Sequence, residues 1–229
     1  MACDPDNPDF APEPFSTFYQ RSTYQYARNL TGQVLILLKN RLNSLSPENQ
    51  KLAQAVLNAS EQIMGRFQLV LNKKITAMRT RYHGDYHLGQ VLYTGKDFII
   101  IDFEGKSSRS LSERRMKRSP LRDVAGMLQS FNYAATQGLR NEVESGMIRP
   151  ENLPMMEAWS QFWYYWVSAA FLKSYLEIAS KDSFLPTTQQ ELQVLLDAYL
   201  LEKVIYDLGY KLENRLDAVE IPLKQLLHL

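Results

Sequence analysis

The sequence predicts a mostly α-helical, α+β protein with one small β-hairpin. Long stretches place apolar residues at helical spacing, and Ser46-Pro47 and Thr188 are helix-start signals. One pair of β-forming runs, Val91-Leu92-Tyr93 and Phe98-Ile99-Ile100-Ile101, flanks the turn Thr94-Gly95-Lys96-Asp97. At 229 residues the chain is long enough for one large domain with a real core.

Residues 1–15 hold Pro5, Pro8, Pro12 and Pro14 among four acidic residues and predict an irregular lead-in. A helix is expected from Thr17 to Leu42. Ser46 as N-cap, with Pro47 at the first helical position, opens a second helix. Its pattern predicts continuation through Leu69 and Ile75 toward Met78. After the hairpin, Gly105 to Ser119 is polar, with Ser107, Ser108 and Ser110 ahead of the cationic run Arg114-Arg115-Met116-Lys117-Arg118. Pro120 starts a helix through Leu128 and Phe131, and another spans Met155 to Ala179. The last begins at Thr188, where Glu191 completes a capping box, and ends near Leu216. Trp159, Phe162, Trp163, Tyr164, Tyr165 and Trp166 decorate their helix almost all round, the pattern of a buried helix, with sugar stacking the lesser reading.

Composition excludes several function classes. Lys+Arg at 26 against Asp+Glu at 25 leaves almost no net charge, so nothing argues for a nucleic-acid or membrane-surface partner. The single cysteine, Cys3, rules out an internal disulfide framework and fits a reducing compartment. No apolar run is long enough to span a membrane, and the polar N-terminus does not read as a signal peptide. A cytoplasmic protein is expected.

Chemistry concentrates between Arg81 and Gly105. Asp85 and Gln90 lie in a loop, and Asp102 follows the second β-run. A hairpin returns the chain on itself, so Asp102 should approach that loop. Carboxylate and amide oxygens gathered in this way suit magnesium and phosphoryl transfer. His83 and His87 have the HxxxH spacing of a zinc pair, but Gly84 and Gly89 disfavour the helix such a pair requires. With only His228 left over, a four-ligand zinc site is poorly supplied.

The octet His83-Gly84-Asp85-Tyr86-His87-Leu88-Gly89-Gln90 resembles the catalytic loop of the aminoglycoside phosphotransferase-like kinases, and Ile101-Asp102-Phe103-Glu104-Gly105 resembles their metal segment. Glu113-Arg114-Arg115, Ser119 through Met127, and Tyr206 through Arg215 are similar to the maltokinases, often fused to or encoded beside trehalose synthase. The resemblance runs from about Phe10 to the C-terminus. It implies a protein-kinase-like C-terminal lobe over residues 16–229, with catalytic loop 83–90 and metal segment 101–105. It also implies ATP as phosphoryl donor, Mg2+ as cofactor, and maltose or a related malto-oligosaccharide as acceptor, giving maltose 1-phosphate for α-glucan synthesis.

Within that resemblance Asp85 is the catalytic residue, orienting the acceptor hydroxyl. Asp102 is the main metal ligand. Gln90, where the family commonly has Asn, is a second ligand or a surface amide, and Glu104 a further ligand or the partner of a cation. His83, His87 and Asp123 brace the loop, Asp123 alternatively only complementing its helix dipole. On the last helix Leu201, Ile205, Leu208, Leu212 and Leu216 form a core stripe. Tyr206, Tyr210 and Glu213 fall on the opposite side, where they line a sugar site or make a second packing surface. Arg114, Arg115, Lys117 and Arg118 hold phosphate or an acidic partner, or form a solvated face. Nothing before Arg81 resembles the glycine-rich loop or phosphate-gripping lysine of a kinase N-lobe: Gly32 and Gly65 are isolated in helical patterns. The expectation is therefore a C-lobe without its N-lobe, with little catalysis by the chain alone and the missing N-lobe or trehalose synthase as partners. A non-catalytic sugar-binding or interaction module and a kinase of another hydroxyl compound, such as an amino sugar, are the alternatives.

Overall fold

In a computed structural model, the structure describes residues 4, 6–105 and 110–228; Cys3, Pro5, Ser107 and Ser108 lie outside them. In chain order the elements are β1 (Glu13–Pro14), α1 (Thr17–Arg41), α2 (Pro47–Asn58), α3 (Ser60–Gln68), β2 (Met78–Arg79), β3 (Val91–Tyr93) and β4 (Phe98–Ile100). They are followed by α4 (Leu111–Arg115), α5 (Leu121–Glu144), α6 (Leu153–Ala179), α7 (Gln189–Asn214) and α8 (Glu220–His228). Helices dominate, and the strands form two two-stranded sheets, β1 with β2 and β3 with β4. Two compact units emerge. Glu13–Met78 and Pro186–Leu229 form one, and Arg79–Leu185 with the lead-in up to Pro12 forms the other.

In the first of these units α1 packs on α7, and α2 and α7 on α8. Leu201, Ile205, Leu208 and Leu212 of α7 are all buried, so the 4-3-4 stripe faces the core as its spacing demands. Leu216 leaves that stripe: α7 stops at Asn214, and Leu216 begins a separate 3-10 turn, half-buried. Ser46 caps α2 with its hydroxyl, accepting from the Asn49 N–H, with Pro47 in the first turn.

The long helix expected from Pro47 toward Met78 is instead two α-helices, a single 3-10 turn at Leu69–Leu71 and a non-helical tail. It breaks at Ala59, whose backbone leaves helical values (φ −84°, ψ 5°), between the weak helix formers Asn58 and Ser60. It ends at Gln68 because the following backbone is claimed by α1. The buried Gln20 amide donates to the carbonyls of Val70 and Lys73 (2.6 Å to Lys73), and its carbonyl accepts from the Ile75 N–H (3.3 Å). One side chain thus satisfies three main-chain groups that would otherwise be unpaired. At the start of α7, Thr188 caps the helix by accepting from the Glu191 N–H. The Glu191 carboxylate turns to the Thr76 N–H and hydroxyl, both at 2.7 Å. Desolvation raises its pKa, but the Thr76 hydrogen bonds outweigh this and hold it below the usual range. The complete capping box is at α4, where Ser110 and Glu113 exchange both bonds.

In the second unit the hairpin pairs Val91 with Ile100, Leu92 with Ile99 and Tyr93 with Phe98, in the register its turn predicts. The expected burial of α6 is corrected. It packs on α5, but of its residues only Ser168 and Ala179 are buried. An apolar residue on every side of a helix does not bury it when only one side has a neighbour. No described helix is long and apolar enough to cross a membrane.

Gln20→Leu should lower unfolding stability by about 3 kcal/mol, because two carbonyls and an N–H lose their partner. Urea denaturation measures this, and amide exchange should rise at Ile75 before it rises in α7.

Candidate active site

The loop His83–Gln90 is mounted on one face of α5 at helical spacing. Asp123, in the first turn of that helix, accepts the His83 N–H (2.6 Å) and the Gly84 N–H (2.9 Å) on its two carboxylate oxygens. One turn on, Gly126 lies so close to the loop that a Cβ there would sit 2.7 Å from the Tyr86 carbonyl oxygen. A further turn on, the Ser130 hydroxyl accepts the Leu88 N–H (2.9 Å). Residues 123, 126 and 130 therefore fix the loop at 83–84, 86 and 88. Gly126 and Ser130 have no motif signal; only their i, i+4 relation, four residues apart and in step with Asp123 on one helix face, could have marked them.

Burial pushes the Asp123 carboxyl up to about 6, against the opposing pull of the Gly84 and His83 N–H groups, the His83 ring and Arg122. Burial, and secondarily the Asp123 charge, push the Tyr86 phenol up.

His83 joins the loop to the Asp102 corner. Its buried ring contacts the Ile101 carbonyl through Nε2 (2.7 Å), and its Nδ1 accepts the Asp85 N–H (3.3 Å). Both bonds are satisfied by the neutral imidazole protonated on Nε2. The same ring lies 5.2 Å from Phe103. Gly84 (φ 84°) and Gly105 (φ 74°) let the two backbones meet: a Cβ on Gly84 would be 3.6 Å from the Gly105 Cα, and one on Gly105 would be 3.2 Å from the His83 carbonyl. Asp102 sits at the second corner with φ 58°, the one non-glycine residue at positive φ among the described residues. Such backbone is costly outside glycine and clusters at functional positions.

The hairpin sets the place of Gln90. Its carbonyl accepts the Ile101 N–H (3.0 Å), one step beyond the Val91–Ile100 pair, so Gln90 and Asp102 flank the end of one ladder. Glu104 does not share a strand face with Asp102. β4 ends at Ile100, and residues 102–105 form a turn in which the Gly105 N–H donates to the Asp102 carbonyl (3.3 Å). The Glu104 carbonyl, not its carboxylate, receives Arg114 (3.4 Å). His87 accepts the Gly89 N–H at Nδ1 (3.1 Å), and its Nε2 faces the Asp85 carboxylate at 3.9 Å. Among the described residues no three His, Cys, Asp or Glu side chains are grouped to hold a metal. Asp102 and Gln90 are two oxygen donors of the kind magnesium takes when substrate phosphates complete its shell, so the donor set fits that ion.

Tyr206, Tyr210 and Glu213 lie on α7, in the other unit. Tyr206 is half-buried with Lys203 5.6 Å from its ring centroid, while Tyr210 and Glu213 are exposed. The cationic run is structural in part. Arg118 exchanges backbone hydrogen bonds with Thr80, the Arg115 carbonyl receives Arg81 (3.1 Å), and Lys117 donates to the Pro8 carbonyl (2.6 Å).

No family model matches the chain. A glucosamine kinase of Mycolicibacterium smegmatis is 44% identical over 54 residues, 23% of this chain and 13% of that protein. A solved glucosamine kinase (crystal form B) superposes with a TM-score of 0.70 at 18% identity, covering 95% of this chain and 46% of that one. A glucosamine kinase structure in complex with glucosamine, ADP and inorganic phosphate gives a TM-score of 0.68 at 16% identity, with the same coverage. The chain has the fold of these sugar kinases and spans less than half their length.

Gly126→Ala should destabilise the chain by about 1–3 kcal/mol, where an open mid-helix site would gain up to about 1; chemical denaturation gives the sign. Asp123 has a folded pKa of about 6 against an ordinary 3.8. The unfolded chain therefore releases this proton first, and the stability tied to the neutral carboxyl is present below pH 3.8 and lost as pH rises through about 6. Asp123→Asn removes that slope. Relative to wild type, the variant should gain about 2 kcal/mol between pH 4 and pH 7 in matched denaturation series.

Proposed function

We propose that this chain carries the acid-bearing half of an ATP-dependent sugar phosphotransferase. The observation that carries the reading is the joining of the Asp85 and Asp102 corners through one buried histidine, on a fold shared with sugar kinases. Phosphoryl transfer asks the protein chiefly for alignment and charge compensation. Asp85 accepts a hydrogen bond from the acceptor hydroxyl and sets its direction, while the His83 ring and α5 hold the loop backbone still. His87 faces the Asp85 carboxylate and limits its rotation. Asp102, with Gln90, would hold Mg2+, which supplies positive charge to the phosphate oxygens when bound.

The acceptor is a glucose-type sugar. Glucosamine is the first candidate, because the relatives found are glucosamine kinases. Maltose is the second, from the resemblance of the 206–215 segment and from two tyrosines one turn apart on α7, Tyr210 being 55% exposed. Maltose specificity and a trehalose synthase partner have no support in the relatives. The residues before Arg81 offer no phosphate-gripping loop, so the chain by itself binds sugar without turning over ATP, as a non-catalytic module also would.

Calorimetric titration with glucosamine, glucose and maltose, in Mg2+ with and without ATP, tests this. Saturable heat with one sugar is expected. Asp85→Asn should weaken that binding by about 10–100-fold, the worth of a hydrogen bond to a charged group. Absence of binding by every sugar would remove the acceptor site from this chain.

A further inference from the structure

The exposed face of α6 contributes no residue to the site described above and is unusual for a folded surface. Met155, Trp159, Phe162, Trp163, Tyr165 and Trp166 are each between 45% and 64% exposed. Tyrosine and tryptophan are the residues most enriched where proteins bind one another. All three tryptophans of the chain lie here. The helix cannot hide them against its own neighbour, because α5 takes the opposite side, where Tyr164, Ser168, Phe171 and Tyr175 are buried or half-buried.

The exposed residues follow a pattern. Met155, Trp159, Phe162, Trp166 and Ala169 are spaced 4-3-4-3, the 3.5-residue period of a helix-to-helix seam, and the exposed Trp163 and Ala170, one turn beyond Trp159 and Trp166, flank it on one edge. No charge interrupts it from Met155 to Ala170 along this line. Lys173 and Glu177 close its C-terminal end as a mutually neutralising i, i+4 pair (4.0 Å). At the observed exposures, the six large side chains present roughly 700 Å² to solvent. The largest apolar patch on a typical monomer is about 300–600 Å². One partner of a standard interface contributes about 800 Å².

We propose that this face is the interface of a homodimer in which two copies of α6 pack antiparallel about a two-fold axis near Tyr165. A closed two-fold contact requires a self-complementary surface. The seam supplies one. Its N-terminal half is aromatic and its C-terminal half turns small at Ala169 and Ala170, so antiparallel pairing sets Trp159 of one copy against Ala170 of the other and Trp163 against Trp166. Parallel pairing would stack bulk on bulk at one end and leave a void at the other. The absence of charge along the seam argues against an acidic or basic partner, and no described helix is long and apolar enough to cross a membrane. The dimer stands independently of the sugar-kinase reading, since it uses none of the loop or α7 residues.

Sedimentation velocity of the chain should give twice 26.5 kDa at tens of micromolar. Dilution should red-shift tryptophan emission as the seam opens. Trp166→Glu should raise the dissociation constant at least about 100-fold, and Ala169→Arg should do the same without removing an aromatic side chain. An exposed apolar control in the other unit, Ile36→Glu, should leave the dimer intact. Orientation is read in a Cys3→Ser background. Trp159→Cys combined with Ala170→Cys should form disulfide-linked dimers, and Ala170→Cys alone should not. A monomer throughout the range would overturn the proposal and leave the face for another part of a longer polypeptide or a different protein. Cross-linking by Ala170→Cys alone would overturn the antiparallel arrangement.

Discussion

Two backbone N–H groups donating to one half-buried carboxylate hold the candidate site together. The His83 and Gly84 amides converge on Asp123, and this pins the start of the acidic loop to the start of α5. Everything downstream inherits that anchor. Once residue 83 is fixed, its imidazole can reach Asp85 on one side and Ile101 on the other, and the approach of Gly84 to Gly105 follows. Burial disfavours the charge on Asp123 while the His83 and Gly84 N–H groups favour it, so the anchor's hydrogen bonds strengthen as the carboxyl ionises.

The rest of α5 extends the same logic. A helix is the stiffest local element available, and contacts at its successive turns set a ruler of about 5.4 Å along the loop. Asp123, Gly126 and Ser130 use a charge, a missing side chain and a hydroxyl at those marks. These are three different chemistries with one geometric consequence. Asp85 therefore sits on a loop that is short of regular secondary structure yet held at three points, and the hairpin supplies the fourth through Gln90 and Ile101.

Local signals in the sequence were legible where the physics is local. Ser46-Pro47, Thr188 and the turn at Thr94–Asp97 depend on residues within a few positions, and each forms at its expected place. The readings that failed depended on a remote partner. Nothing between Pro47 and Met78 announces that Gln20 will take the main chain of 70–75, or that Glu191 will turn from its own helix to Thr76. The aromatic helix α6 misled for a related reason: periodicity reports how apolar a face is, not whether another element exists to cover it. At the site, the octet and the Asp102 corner announce themselves by residue type, while Gly126 and Ser130 are visible only once the loop is laid on the helix.

The backbone of Asp102 carries a last consequence. An aspartate at positive φ occupies a conformation in which glycine is equally comfortable, so exchanging it for glycine would delete the carboxylate while leaving the turn to Gly105 at rest. The codons of the two residues differ by a single base. A lineage carrying this fold is thus one point mutation away from a chain that keeps its shape, its stapling histidine and its helical frame but has lost the carboxylate proposed to hold a metal. The corner proposed for the metal is also the one where its side chain could be shed with least disturbance to the fold.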